Sequence, residues 1–579
     1  MTQDDMRLRP CPCIFKIYVP LQVFLIDIGM KHYTLFWLMV GLSLTLFAQS
    51  PTCYRIYLSD KNNSPYTTDN PSAFLSQRAL DKRTRFNIPI TEQDLPVNPQ
   101  YRQQILALHP QMQPLAVSKW MNTFTVYCPD STIIPQIESL PFVDSVMAVG
   151  AYRLHETPAG QAAPVNPEPM VHNTLPAGKD SVDYGYGFAQ IALHNGHRLH
   201  EAGFKGEGML IAVIDGGFFG IETISFYQEL VNSGRFFGRY SLMPAFVDTL
   251  QSGWSEVHGT VVTSAMAANT GGELVGTAPA ASYALIHTEW VGSEELVEED
   301  FWANGAEIAD SLGADVINSS LGYRSFPDFP QADITYADMD GVNSIASRCA
   351  TILGQKGVIV CVAAGNDGNG EFYHISRPGD AFDILCVGAC ATDSLIADFS
   401  SRGYSYDGRV KPDITSMGVN TACYYPGDMQ SYSNGTSLAT PVAAGLCACL
   451  WQAMPGYTST QMMQIIRESA HLYNDPNPEF GYGIPDFYKA YATHVGIHDY
   501  KTQQVSIYPN PVTDRLNLLN PEGNIQTVSI YNASGQLVLQ YTVPNTPILE
   551  IPVTNLPNGF YIGTATLNNN QIATFKFVK

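Results

Sequence analysis

Positive charge is scarce in this chain: 31 Lys and Arg stand against 53 Asp and Glu in 579 residues, a formal charge of -22. Such a balance repels phosphate backbones and anionic lipid headgroups, which argues against nucleic acid as a partner. The 11 cysteines include no CxxC pair, so nothing suggests a zinc site. Cys361, Cys386, Cys447 and Cys449 sit in apolar runs and read as buried, reduced thiols. A long apolar span is missing too. The run from Tyr33 to Phe47 offers only about 15 residues against the roughly 20 that a membrane-crossing helix needs. Preceded by Lys31 and His32 and followed by Ala48, it has the layout of a signal peptide over 30–48. Met30 is read as the start, with 1–29 an over-called extension. Charged residues make up 15% and hydrophobic ones 45%, which excludes wholesale disorder, while 47 Gly and 38 Pro imply many turns.

This length predicts roughly three to four folded units. Residues 49–150 form a mixed segment ending in two strand-like pieces, Trp120 to Cys128 and Phe142 to Val149. The Pro-rich stretch that follows makes 151–183 a linker. From 184 to 495, apolar runs of strand length (Met209 to Asp215, Asp315 to Gly322, Val358 to Asn366, Ile384 to Ala389) alternate with helical patterns such as GAEIADSLG and SIASRCATILGQKG. Apolar strands separated by helices predict an α/β domain, a parallel sheet with helices on both faces. From 505 to 579, alternating segments with Asn-Gly and Ser-Gly turns predict a small β-sandwich.

The strongest chemical signal is NGTSLATPVAAG, where Gly435 and Thr436 lead into an apolar helix with Ser437 at its mouth. Unpaired backbone N–H groups at a helix start can hold a developing oxyanion, although a lone Ser there is usually a cap. A serine nucleophile also needs a base and a group to orient that base. His258 opens the helical block HGTVVTSAMAAN, and Asp215 ends the strand MLIAVID just before Gly216 and Gly217. Carboxyl ends of strands are where α/β folds build their sites.

In that order, the Asp, His and Ser blocks resemble the motifs of the subtilisin-like (subtilase) family. NGTSLAT lacks the GxSxG elbow of α/β-hydrolases. The resemblance runs from about Tyr184 to Ala490 and includes FSSRG, VKPDI and GYGIPD. It implies a subtilisin-like fold and a serine endopeptidase with Asp215, His258 and Ser437 as its triad. VAAGND gives Asn366 the role of oxyanion donor. Ser320, Leu321 and Gly322 face Ala363, Ala364 and Gly365 as walls that bind extended polypeptide substrates through backbone hydrogen bonds. The departure is Gly216-Gly217, where many members have Thr-Gly or Ser-Gly; it touches loop packing. Residues 49–150 resemble the family's inhibitory propeptide, a small α+β fold in which the two strand-like pieces would pair. YPNP, SIYNASGQLV and the closing strands resemble the C-terminal sorting domain of Bacteroidetes type IX secretion, which makes that machinery a partner and the protein secreted or held at the cell surface. The implied chemistry needs no cofactor. Structural calcium is frequent in the family, but no loop here is specific enough to assign.

Two rivals remain at this level: a catalytically weak peptide-binding or adhesive surface protein, and an esterase. His194, His197 and His200, spaced i, i+3, i+6, lack an acidic or Cys partner and read as solvated or helix-stabilising histidines, not as metal ligands. Glu294, Glu295, Glu298, Glu299 and Asp300 read as a hydrated loop; were they to line the cleft, they would favour Lys or Arg before the cut.

Overall fold

A computed structural model describes residues 52–151, 182–243, 256–290, 293–327, 329–495, 506–519, 525–543, 546–567 and 572–579. The segment read as a signal peptide and nearly all of the one read as a linker lie outside the described residues.

The segment after the signal region forms a four-stranded antiparallel sheet from β1 (Cys53–Leu58), β2 (Gln113–Ser118), β3 (Thr123–Tyr127) and β4 (Val143–Gly150). Helices α1 (Gln77–Arg85) and α2 (Pro99–Leu106) belong to the same segment. The strand order is β2-β3-β1-β4. The two strand-like pieces read from the sequence therefore do not pair with each other. Each pairs with β1, which lies between them (Ile56 opposite Phe124 on one side and Val146 on the other), because β1 is apolar enough to be buried at the sheet centre.

The central domain is built on seven parallel strands: β5 (Leu210–Asp215), β6 (Phe236–Ser241), β7 (Ser282–His287), β8 (Val316–Ser319), β9 (Ile359–Ala363), β10 (Leu385–Cys390) and β11 (Ile414–Met417). Their order is β11-β10-β9-β8-β5-β7-β6. Alternate residues of each strand feed two cores. Ile211, Val213, Ile359 and Cys361 face helices that include α3 (His258–Ala267) and α6 (Thr436–Ala453); Ala212, Ile214, Val360 and Val362 face α4 (Glu298–Leu312) and α5 (Ile345–Gln355). Both sheet faces are thus dry, which is why the strands read as unbroken apolar runs. After β5 the chain winds one way to β6, and from β8 it winds the other way. The crevice beyond the ends of β5 and β8 is the topological switch point where such sheets bind ligands.

Two sequence readings change here. The acidic run is not a hydrated loop: Glu298, Glu299 and Asp300 form the buried first turn of α4, and only Glu294 of the five stays exposed. The helix start favours acidic groups, and Arg55 from β1 meets Asp300, with Nε 2.7 Å from Oδ1. Glu299 accepts a hydrogen bond from Ser344 Oγ at 2.8 Å. Burial, then mutual repulsion with Glu289, pushes the Glu298 carboxyl well above its ordinary pKa. Asp300 and Glu299 are thus engaged with groups from β1 and the start of α5. The histidines change as well. His194 joins Pro485 O at 3.0 Å to Ser416 Oγ at 2.8 Å, and His200 joins Tyr184 Oη at 2.9 Å to Thr277 O at 3.1 Å. Burial lowers the pKa of both to about 4, so they are neutral pins in the core and not solvated groups. All nine described cysteines are buried and reduced.

The tail forms a three-stranded and a four-stranded sheet around Leu516, Val528, Ile551 and Phe577, the expected small sandwich.

Candidate active site

Asp215 is the last residue of β5, opposite His287 at the end of β7, and is fully buried (0% exposed). Its Oδ1 accepts a hydrogen bond from Gly216 N at 2.8 Å and pairs with His258 Nδ1 at 2.7 Å. A backbone bond from Gly259 N to Gly217 O, 2.9 Å, ties the start of α3 to the turn after Asp215. The second glycine of that turn is needed: Gly217 has φ +130°, and a Cβ there would lie 2.6 Å from Glu256 Cβ. The His258 side chain is 40% exposed. Its burial lowers the pKa, but the Asp215 charge and hydrogen bond more than offset this, leaving it above the ordinary 6.5.

Ser437 is the second residue of α6 and is 8% exposed. Gly435 before it has φ +142°, and a Cβ there would stand 2.7 Å from Ser437 Oγ, so only glycine leaves the hydroxyl room. Val261, one turn along α3 from His258, shares a small apolar cluster with Cys423 and with Leu438, next to Ser437. Ser320 Oγ donates to Ser437 O at 2.8 Å, linking the end of β8 to the same helix.

Asn366 follows β9. Its Oδ1 accepts from Thr436 N at 2.9 Å and from Thr436 Oγ1 at 3.1 Å. Since a backbone N–H can only donate, the amide oxygen must face Thr436, and Nδ2 turns to the Ser437 side, 3.7 Å from where a Gly435 Cβ would be. Sequence reasoning missed Thr436 as the residue that orients this amide. A Thr just before a helix-start Ser is a visible signal, but only the tertiary contact gives it this task.

Ser320, Leu321 and Gly322 line one side of the cleft, and Ala363 and Gly365 line the other. Ala364 does not. Its N–H donates to Val387 O at 3.0 Å and its carbonyl accepts from Ser376 N at 3.0 Å, because strand alternation turns it into the core. Arg324, Asp367 and Ser376 also line the cleft and carried no motif in the sequence. Among the described residues, no group of three or more His, Cys, Asp or Glu side chains is placed to hold an ion, so no calcium site is assigned.

The segment of β1 to β4 covers α4. Arg83 Nη2 lies 2.8 Å from Asp310 Oδ1, and Lys119 Nζ lies 3.2 Å from Asp310 Oδ2. Glu307 accepts from Ser118 Oγ at 2.6 Å and from the backbone N–H groups of Lys119 at 2.7 Å and Trp120 at 3.0 Å. Asp300, Glu307 and Asp310 fall on one face of α4, a spacing legible in the sequence.

A family model described as the subtilase family matches residues 206–484. The Bacteroidota peptidase S8 propeptide domain matches 53–162, and the secretion system C-terminal sorting domain matches 506–579. The M-protease of Shouchella clausii strain KSM-K16 is 33% identical over 47% of this chain and 61% of its own length. Subtilisin Savinase of Lederbergia lenta is 33% identical over 48% of this chain and 89% of its own. Subtilisin E of Bacillus subtilis strain 168 is 31% identical over 52% and 69%. With a sorting domain of this kind the protein is secreted or displayed at the cell surface. The chain belongs to the subtilase family of serine endopeptidases, with a Bacteroidota propeptide domain ahead of the subtilase domain and a secretion sorting domain behind it.

Proposed function

We propose that the protein is a secreted endopeptidase that cleaves extended polypeptides through an acyl-enzyme on Ser437. Ser437 Oγ attacks the scissile carbonyl while His258 takes its proton and then gives it to the leaving amine; water reverses the sequence to release the acid. Asp215 holds the imidazole in the right tautomer, and Asn366 Nδ2 with the Ser437 N–H receives the oxyanion. The observation that carries this reading is the 2.7 Å bond between His258 and a carboxylate buried at 0% exposure. The propeptide domain acts as inhibitor until it is cut away, and the type IX machinery is the export partner. Neither metal nor cofactor takes part in these steps.

A serine-directed fluorophosphonate is expected to label Ser437 in the secreted protein, which should also turn over casein. Labelling without proteolysis favours an esterase, and neither result favours an adhesive protein.

The pH profile carries a sign. His258 works as a base only when neutral, and its pKa is raised above 6.5. Activity is therefore expected to be full in alkaline solution and to fall as pH drops through a midpoint above 6.5. A kcat/KM profile whose acid limb lies below that value would remove the Asp215–His258 pair from the reaction.

A further inference from the structure

The cleft beside Ser437 is lined by Gly322, Gly365 and Ser376; with a scissile carbonyl carbon at Ser437, the side chain before the cut would enter the space between the two glycines. Two features of this chain define what that space accepts. The first is Ser376, 3% exposed, at the floor. Its hydroxyl oxygen lies 2.2 Å from where a Cβ on Gly322 would be and 3.0 Å from where a Cβ on Gly365 would be. The slot is therefore short, and its end is a hydroxyl whose acceptor among the described residues, Ala364 O, lies at 3.5 Å. So long a bond is weak, which leaves the O–H free to donate to a substrate acceptor.

The second feature is an ion pair joining the ends of the two walls. Arg324 follows Gly322 by two residues, Asp367 follows Gly365 by two, and Arg324 Nε stands 3.3 Å from Asp367 Oδ2. The guanidinium also lies over the Phe372 ring, 5.2 Å from its centroid. Their side chains are 37% and 27% exposed, so each is reachable from the cleft. A substrate carboxylate drawn to Arg324 meets Asp367, and an ammonium drawn to Asp367 meets Arg324. The pair cancels charge preference in either direction.

Building on the proteolytic reading above, we propose that this enzyme cleaves after small or medium uncharged polar residues (Ser, Thr, Asn, Gln). Ser376 sets the depth of the pocket, and the Arg324–Asp367 pair sets its neutrality. An aromatic ring would have to displace the Ser376 hydroxyl from between the two walls.

The test uses the protein as secreted and a peptide library varied only at the residue before the cut. Wild type is expected to favour Gln, Asn, Ser and Thr over Phe and Tyr by about tenfold or more in kcat/KM. Ser376→Gly should raise Phe relative to Gln by about tenfold. Asp367→Asn should raise Glu relative to Gln by up to roughly fivefold, and Arg324→Gln should do the same for Lys; both gains should shrink at high salt. The two charge substitutions lie at the rim and test the inference even if Ser376→Gly fails to fold. An aromatic preference in wild type, or unmoved charge profiles in both rim variants, overturns the inference while leaving the proteolytic reading in place. Absence of any cleavage by wild type overturns the proteolytic reading itself.

Discussion

Replacing Ser437 by Ala is expected to lower kcat on the order of a millionfold, the scale seen when subtilisin loses its nucleophile. The change removes one oxygen and little else. The start of α6 is held by the Asn366 bonds to Thr436 and by Ser320 Oγ on the Ser437 carbonyl, and none of these uses the lost hydroxyl. Alanine also has the best helix propensity, so the fold should persist. Casein turnover and the length of the product report the outcome together. If the enzyme makes its own maturation cut, the uncut precursor should accumulate. A folded variant that digests casein at the wild-type rate would sink the assignment of Ser437.

The second large effect is expected at Asp310, far from the chemistry. Its carboxylate faces Arg83 and Lys119 of the propeptide domain, with all three side chains at most 8% exposed. Burial raises the Asp310 pKa, but Lys119 and Arg83 lower it further, so the net shift is downward and the group is ionised. Asp310→Asn keeps the shape and removes the charge, stranding two cations in a dry interface at a cost of about 3–5 kcal/mol. Asp94, 3.4 Å from Arg83, offsets part of this. Because the pKa is depressed when docked, the stabilisation is present above the free value of about 3.9 and is lost as pH falls towards the docked one. Hydrogen exchange in the uncut Ser437→Ala precursor provides the measurement. Amides of β2 and β3 should exchange faster with Asp310→Asn, and the wild-type interface should loosen below about pH 4. Unchanged protection under both conditions would mean that the ion pairs do not hold the propeptide domain in place.

Much of this architecture was legible before folding was considered, and the limits of legibility have a physical cause. Unbroken apolar runs such as Leu210–Asp215 and Ile359–Ala363 announced strands covered on both faces, because a strand with one wet face must alternate. Asp215 at a strand end and Ser437 at a helix mouth were placed by local pattern, since turns and helix starts are encoded within a few residues. What required the tertiary structure were contacts between distant segments. The acidic run of α4 resembled a solvated loop because its partner Arg55 lies 245 residues away from Asp300, beyond any local periodicity. His194 and His200 became neutral core pins only when Pro485, Ser416 and Thr277 were brought to them. Ala364 left the cleft through strand alternation, while Ser376 entered it from outside every motif, to stand against two glycines of the cleft walls. Sequence by itself determined the elements, their order along the chain and the family. Only the packed sheet decided which charges face each other and how deep the cleft is, because burial and pairing are properties of neighbours in space.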